Sequence, residues 1–398
     1  MTTDFAATKA LFHLPAGVTY LDGNSLGPLP RAAAARVAQT ITAEWGQMLI
    51  TGWTKAGWMD QPLRVGDRIA RLIGAEAGHV VMGDTLSIKV YQALASCLDL
   101  NPTRRVILSD TGNFPSDLYM AQGLAQTLGQ GYSLKTVAPE RVLDAIDDTV
   151  AVTLITEVDY RTGRKHDMAA ITARAHACGA LTVWDLAHSA GALPVDLAGA
   201  KADFAVGCTY KYLNSGPGGP AFIYVAPRHA NKTRPALSGW LGHDAPFAFD
   251  PDYRPGSGIE RMRVGTPPVL QLAALEAALD IWDAVNMADL RKASLALTDQ
   301  FIALVEASCP GLSLVTPRAH SQRGSQVSFA HPQGYAIMQA LIAHGVIGDF
   351  RAPDILRFGF TPLFTDAADV TRAAETLSRI MAQSLWDNPA YKTRAKVT

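Results

Sequence analysis

The chain has 398 residues, 48% of them hydrophobic and 18% charged, and its 35 Lys+Arg against 36 Asp+Glu leave a formal net charge of −1. That balance excludes a basic nucleic-acid binder or a polybasic membrane binder, and the high apolar content excludes a disordered chain. The length accommodates two or three domains of roughly 150 residues each. Cys97, Cys178, Cys208 and Cys309 form no Cys-x-x-Cys pair, which points to reduced thiols in a cytoplasmic protein and to no metal site.

Met1 to Phe12 carries Asp4 and Lys9 and resembles neither a secretory signal nor a transit peptide. No stretch approaches the ~20 apolar residues of a membrane span. A helix is expected from about Arg31 to Met48, but residues 1–60 are too few for a core of their own and should pack with a smaller domain. Residues 61–286 then alternate two periods. Apolar runs at Val106 to Leu108, Val150 to Val158, Leu181 to Trp184, Phe204 to Val206 and Ala221 to Val225 read as buried strands. Asp167 to Cys178 places Met168, Ile171, Ala175 and Cys178 on one helical face. Strand, helix, strand at this spacing predicts an α/β domain with a mainly parallel sheet. A long helix from Pro268 to Val285 should close it.

Residues 287–398 read as a smaller α/β domain. Its expected elements are a helix over Met287 to Ser308, a strand at Gln326 to Ala330, a helix over Tyr335 to His344, strands near Val346 to Phe350 and Ile355 to Phe360, and a last helix over Ala367 to Trp386.

The chemical signal lies at two strand ends. Leu181-Thr182-Val183-Trp184 runs into Asp185, and Phe204 to Cys208 runs into Thr209-Tyr210-Lys211. Ligands of open parallel sheets sit beyond the carboxyl ends of strands. A charged residue there is often merely solvated, but an acid and a lysine on neighbouring apolar strands match what pyridoxal phosphate requires. The lysine supplies an amine for a Schiff base, and the acid keeps the pyridine nitrogen protonated so that the ring can accept electrons.

Asp185-Leu186-Ala187-His188, Tyr210-Lys211-Tyr212-Leu213-Asn214 and the turn Gly216-Pro217-Gly218-Gly219 resemble the kynureninase family, pyridoxal phosphate enzymes of the aspartate aminotransferase fold (fold type I). Tyr20-Leu21-Asp22-Gly23-Asn24-Ser25-Leu26-Gly27, Asn113-Phe114-Pro115-Ser116-Asp117, Gly239-Trp240-Leu241-Gly242-His243, Gly265-Thr266-Pro267-Pro268 and Leu356-Arg357-Phe358 extend the likeness in the family's order. The resemblance implies that Lys211 is the Schiff-base lysine and Asp185 the pyridinium partner. Phe114 would stack on the ring, and Pro115 and Ser116 would begin a helix aimed at the site. Leu86, Ser87 and Tyr210 would hold the phosphate, while Asp117, Thr156 and His188 complete the cofactor shell. Trp240 and Thr266 would reach the neighbouring subunit's phosphate, which implies a homodimer with shared active sites. Arg357 would grip the substrate α-carboxylate, with Asn24 and Ser25 lining the pocket and Trp53 or Trp58 covering the aryl ring. One departure is Ile88-Lys89, where the family has Val-Asn.

The implied activity is hydrolysis of L-kynurenine or its 3-hydroxy form to the anthranilate and L-alanine, in tryptophan degradation, with Tyr210 a proton donor to the β-carbon. Singly, Phe114, Trp240 and His188 fit core positions equally well. Other readings stay open: a class V aminotransferase or cysteine desulfurase, which would keep Lys211 and Asp185, and a serine hydrolase whose G-x-S-x-G elbow is Gly23-Asn24-Ser25-Leu26-Gly27. Pro28 and Pro30 follow that motif where an elbow needs a helix.

Overall fold

Val-, Ile- and Leu-rich runs too short for helices gain most by pairing in a sheet covered on both faces. In the computed structural model, which describes residues 2–394, six strands do so, and a seventh, the more polar and exposed Ser133–Val137, adds at one edge. They are β1 (Val80–Met82), β2 (Val106–Asp110), β3 (Ser133–Val137), β4 (Val150–Thr156), β5 (Leu181–Asp185), β6 (Phe204–Gly207) and β7 (Phe222–Val225), in the spatial order β1-β7-β6-β5-β4-β2-β3. Every strand but β7 runs the same way; β7 pairs antiparallel with both β6 and β1. The link from Gly207 to Phe222 contains no helix, so the chain turns back instead of crossing over. Met1 and 395–398, at the outer ends of the expected segments, lie outside the described residues.

Successive strand residues feed opposite faces of this sheet. Leu108, Ile155 and Trp184 join one buried cluster with Leu272 and Leu279, whereas Ile107, Leu154 and Val183 join another with Leu94 and Leu124. The covering helices include α1 (Leu86–Leu100), α2 (Pro115–Leu128), α3 (Met168–Ala177) and α4 (Val269–Trp282). Asp167 caps α3 by accepting the Ala170 N–H at 3.0 Å.

A second sheet pairs β8 (Ser313–Leu314), β9 (Gln326–Ala330), β11 (Ile355–Gly359) and β10 (Asp349–Arg351) in that order, all antiparallel. It packs with α5 (Met287–Ser308), α6 (Gly334–Ala343) and α7 (Ala367–Ala382) around Phe301, Phe329, Phe358 and Leu377. The strand expected over Val346 to Phe350 is split. Val346–Ile347 pairs in parallel with Thr19–Tyr20, and Asp349–Arg351 pairs with β11. Gly348 permits the change of partner, because a Cβ there would meet the Arg357 carbonyl at 2.8 Å. The last helix ends four residues early, at Ala382. The helix begun at Arg31 continues to Met48 but widens into π geometry over Thr40–Trp45. The N-terminal segment touches both bodies: Phe12 lies in a cluster of the large sheet and Leu21 in that of the small one.

The amino end of β6 is tied down by a buried carboxylate. Asp203 accepts from the Thr182 backbone N–H at 2.9 Å, from His176 and His229 at 2.8 Å each, and from Arg228 at 2.6 Å. Burial alone would raise this carboxyl, but the two histidine hydrogen bonds and Arg228 outweigh it and lower its pKa from 3.8 to about 2. A folded-state pKa below the unfolded value stabilises the native state above the unfolded pKa, and that contribution is lost as pH falls through the folded one. The cluster should therefore supply about 2 kcal/mol at neutral pH that disappears between about pH 4 and 2. Urea unfolding of the Asp203→Asn variant checks this: it should be markedly less stable than the parent at pH 7, and the gap should narrow as the pH approaches 3.

Candidate active site

The parallel register carries three polar side chains to one edge. Thr156 and Asp185 are paired residues at the carboxyl ends of β4 and β5, and the chain leaving β2 turns through Gly112 and Asn113 to Phe114. The Thr156 hydroxyl lies 2.5 Å from Asn113 Oδ1 and 3.2 Å from Asp185 Oδ2. Asp185 also accepts the Ala187 N–H at 2.8 Å. Among the described residues no cation is hydrogen-bonded to it. Burial raises its pKa despite the opposing field of Lys211 and these hydrogen bonds.

Lys211 follows β6 at the same edge. Its Nζ lies 3.1 Å from His188 Nε2 and 5.9 Å from the centre of the Phe114 ring. Burial, then the charges of Lys211, Arg357 and Arg351, push the His188 imidazole well below its usual range, so the ring is neutral at pH 7. A neutral ring accepting from Lys211 at Nε2 carries its proton on Nδ1, which is buried without a partner. Tyr210 is pushed up, first by Cys208 and then by burial, and stays protonated. The Lys211 turn is braced by the N-terminal segment: the Gly27 N–H donates to the Tyr210 carbonyl at 2.8 Å. A Cβ on Gly27 would come within 2.4 Å of the Lys211 carbonyl, so only glycine fits this approach.

Two helix N-termini converge beside this group. Ser87, in the first turn of α1, and Ser116, in the first turn of α2, share a hydrogen bond of 2.8 Å. Leu86 and Pro115 open the two helices, and their unpaired N–H groups and dipoles favour an anion. Phe114 is half-exposed and stands edge-on to Tyr160, with centroids 5.2 Å apart. Asp117 is buried with one carboxylate oxygen unpartnered; burial, and then Asp185, raise its pKa strongly.

A second charged group lies where the small sheet meets the N-terminal segment. Arg357 and Asp349 face each other across β11 and β10. Arg357 Nε donates to Asp349 Oδ1 at 2.7 Å, its Nη2 donates to Asp349 Oδ2 and to Ser25 Oγ (2.6 Å), and its Nη1 donates to the Tyr160 carbonyl (2.7 Å). Arg357 is thus buried and paired, not on the solvated face that an alternating strand suggests. The Ser25 hydroxyl donates to Asp349 Oδ2 at 2.6 Å. It has no histidine partner, which leaves the serine-hydrolase reading without a base. Asn24 is wholly enclosed, and neither end of its amide has a hydrogen-bond partner.

Among the described residues no hydrogen bond or ring contact joins three expected site residues to Lys211. Trp53 packs edge-on against Trp58 at 5.6 Å. Trp240 is 43% exposed and packs on Phe247, and Thr266 is exposed beside Gly83 and Asp84. A cleft of about 670 Å³ lined by Tyr20, Leu26, Val37 and Leu270 is the larger space, but no Asp, Glu, Lys or Arg lines it, so chemistry rather than volume locates the site. Sequence reasoning missed Asp22, Asn113, Tyr160, Asp349 and Arg351 as site residues. Asn113 and Asp22 lie inside the recognised motifs and could have been found there; Asp349 and Arg351 are placed by strand register alone.

Comparison with known proteins agrees with this geometry. The family described as kynureninase C-terminal domain matches residues 290–377. The kynureninase of Burkholderia pseudomallei (strain 1106a) is 55% identical over 400 aligned positions, covering 99% of this chain and 96% of that protein. Among solved structures, the apo cysteine desulfurase of Thermococcus onnurineus NA1 superposes with a TM-score of 0.81 at 17% identity, covering 96% of this chain and 99% of that one. A C-DES mutant with glycine covalently linked to its PLP cofactor gives 0.80 at 18%, covering 95% and 99%. These two likenesses bear out the expected α/β fold of type I PLP enzymes. Identity above one half across nearly the full length goes further, and the chain belongs to the kynureninase family.

Proposed function

We propose that the protein is a pyridoxal phosphate-dependent hydrolase that converts L-kynurenine, or its 3-hydroxy form, and water into anthranilate, or 3-hydroxyanthranilate, and L-alanine, within tryptophan degradation. The observation that carries this reading is the buried Asp185 carboxylate, lacking a bonded cation, at the same sheet edge as the Lys211 amine. A pyridinium N–H would give Asp185 its counter-charge, and the paired helix N-termini at Ser87 and Ser116 suit a phosphate. The residues present therefore fit the cofactor.

When bound, pyridoxal phosphate supplies an aldehyde that captures the substrate amine and a ring that accepts the electrons released at carbon. Lys211 holds the cofactor at rest and takes the proton from the substrate Cα. Asp185, steadied by Thr156 and the Ala187 N–H, holds the proton on the ring nitrogen. Leu86, Ser87, Ser116 and Tyr210 bind the phosphate, with Phe114 and Pro115 framing the ring and Asp117 and His188 enclosing it. Neutral His188 receives a hydrogen bond from Lys211 without competing for its proton. Once water has added to the γ-carbonyl and the Cβ–Cγ bond breaks to release anthranilate, the Tyr210 hydroxyl, kept protonated, would deliver the proton that the β-carbon needs to become the methyl of L-alanine. Arg357, Asn24 and Ser25 orient the amino-acid end, and Trp53 the aryl end. The division into 1–60, 61–286 and 287–398 places the small sheet as the wall that carries Arg357.

The fold likeness to cysteine desulfurases does not favour that chemistry, because Cys97, Cys208 and Cys309 are buried, and the partly exposed Cys178 ends α3 just before the amino end of β5, at the other end of the strand from Asp185. The exposed Trp240 and Thr266 support a homodimer in which each chain completes its partner's phosphate site. No helix among the described residues is long and apolar enough to cross a membrane, in keeping with a cytoplasmic enzyme.

Borohydride treatment of the yellow holoenzyme should fix the chromophore on the peptide containing Lys211, and L-kynurenine should yield anthranilate; a colourless protein that takes up no pyridoxal phosphate would overturn the assignment. Asp185→Asn should retain the fold and lower kcat about 10²-fold or more, read as anthranilate release. Mixing inactive Lys211→Ala chains with weakened Trp240→Ala chains should restore activity that neither variant has, if sites are shared between subunits.

A further inference from the structure

An α-carboxylate is best held by the two-nitrogen edge of a guanidinium. In this protein that edge of Arg357 is already engaged. Of its five N–H groups, one goes to Asp349 Oδ1, one to Asp349 Oδ2, one to Ser25 Oγ and one to the Tyr160 carbonyl, leaving a single Nη1–H. The side chains of Arg357 and Asp349 are each 2% exposed, so neither moves easily to admit a ligand. Arg357 alone cannot offer a carboxylate the fork expected of it.

Arg351, two residues after Asp349 on the same strand, supplies what is missing. Its Nη2 lies 2.7 Å from Asp349 Oδ2 and 3.3 Å from Ser25 Oγ, and its Nη1 donates to the Phe350 carbonyl at 3.1 Å. Its Nε–H and one Nη1–H have no protein partner among the described residues; they point to different sides of the guanidinium, so each is a single donor that can add to the one left on Arg357. One third of the side chain is exposed, in contrast to Arg357. The pair is linked to the reacting end of the site by contacts: Arg357 Nη1 donates to the Tyr160 carbonyl, the Tyr160 ring packs edge-on against Phe114, and Lys211 Nζ lies 5.9 Å from the centre of the Phe114 ring. The charges agree with this. Two guanidiniums face one ionised Asp349, while burial and the adjacent Asp349 raise the Asp22 carboxyl to about 7, so it carries little charge under mildly acidic conditions. The excess of about one positive charge suits one carboxylate.

We propose that Arg351 is the second half of the α-carboxylate clamp: one free N–H of its guanidinium, with the one N–H left on Arg357, receives the carboxylate of the amino-acid substrate, while Asp349 locks Arg357 in place. This rests on the active-site reading above.

The test uses holoenzyme and two probes, L-alanine and ethylamine, which differ by the carboxylate, with binding followed by cofactor absorbance and calorimetry. Parent protein should prefer L-alanine strongly. Arg351→Gln should weaken L-alanine about 10- to 100-fold and leave ethylamine unchanged, and KM for L-kynurenine should rise in step while kcat changes little. Arg351→Lys, which keeps the charge but not the placed N–H, should fall between parent and Gln variant, and it serves if the Gln variant does not fold. A merely structural arginine would change both probes equally, and that result, or unchanged L-alanine binding in both variants, overturns the proposal. If instead the parent binds no L-alanine and makes no anthranilate, it is the assigned reaction that fails.

Discussion

A carboxylate buried at a strand end without a bonded cation is costly to keep ionised, and the organisation of the site follows from that constraint. Asp185 is held by the Thr156 hydroxyl and one backbone N–H. These satisfy its geometry but not its charge. The parallel register of β4 and β5 fixes Thr156 beside it, the turn after β6 brings Lys211 to the same edge, and His188 stays neutral between Lys211 and the arginine pair. In the proposed function a cationic ring nitrogen would complete the balance.

The small sheet meets this edge through a different device. Gly348 lets one strand end and another begin, so Val346–Ile347 binds the N-terminal segment while Asp349–Arg351 binds β11. That exchange draws Asp22 and Ser25 to within reach of Asp349, Arg351 and Arg357. The ion-pair group proposed to hold the amino-acid end of a substrate is therefore assembled from three distant stretches of chain. Its buried ion pair is a means of holding Arg357 in one orientation more than a source of stability. Asp203, at the opposite edge of the large sheet, shows the contrast: there the histidines and Arg228 fully compensate the carboxylate, and the cluster has a stabilising rather than a chemical role.

Much of this was legible in the residues. The alternation of apolar runs and amphipathic helices gave the α/β class, because burial on both sheet faces demands those runs. The positions of Asp185 and Lys211 at strand ends were legible for the same reason; the helix start at Pro115 came from the family resemblance instead. The antiparallel course of β7 was not, since an apolar run has no direction. The split at Gly348 was hidden because its cause, the nearby Arg357 carbonyl, lies in another strand.

By itself, then, the sequence determined the cofactor chemistry: residue types at strand ends, within motifs quoted in order, specify an amine and an acid for one ring. Tertiary structure alone decided how those groups are partnered. Whether Arg357 is solvated or locked to Asp349, whether Arg351 keeps N–H groups free, and which side chain Trp240 packs on depend on tertiary contacts or on cross-strand register. Local pattern encodes which surface is buried; the partner that meets it is set by packing.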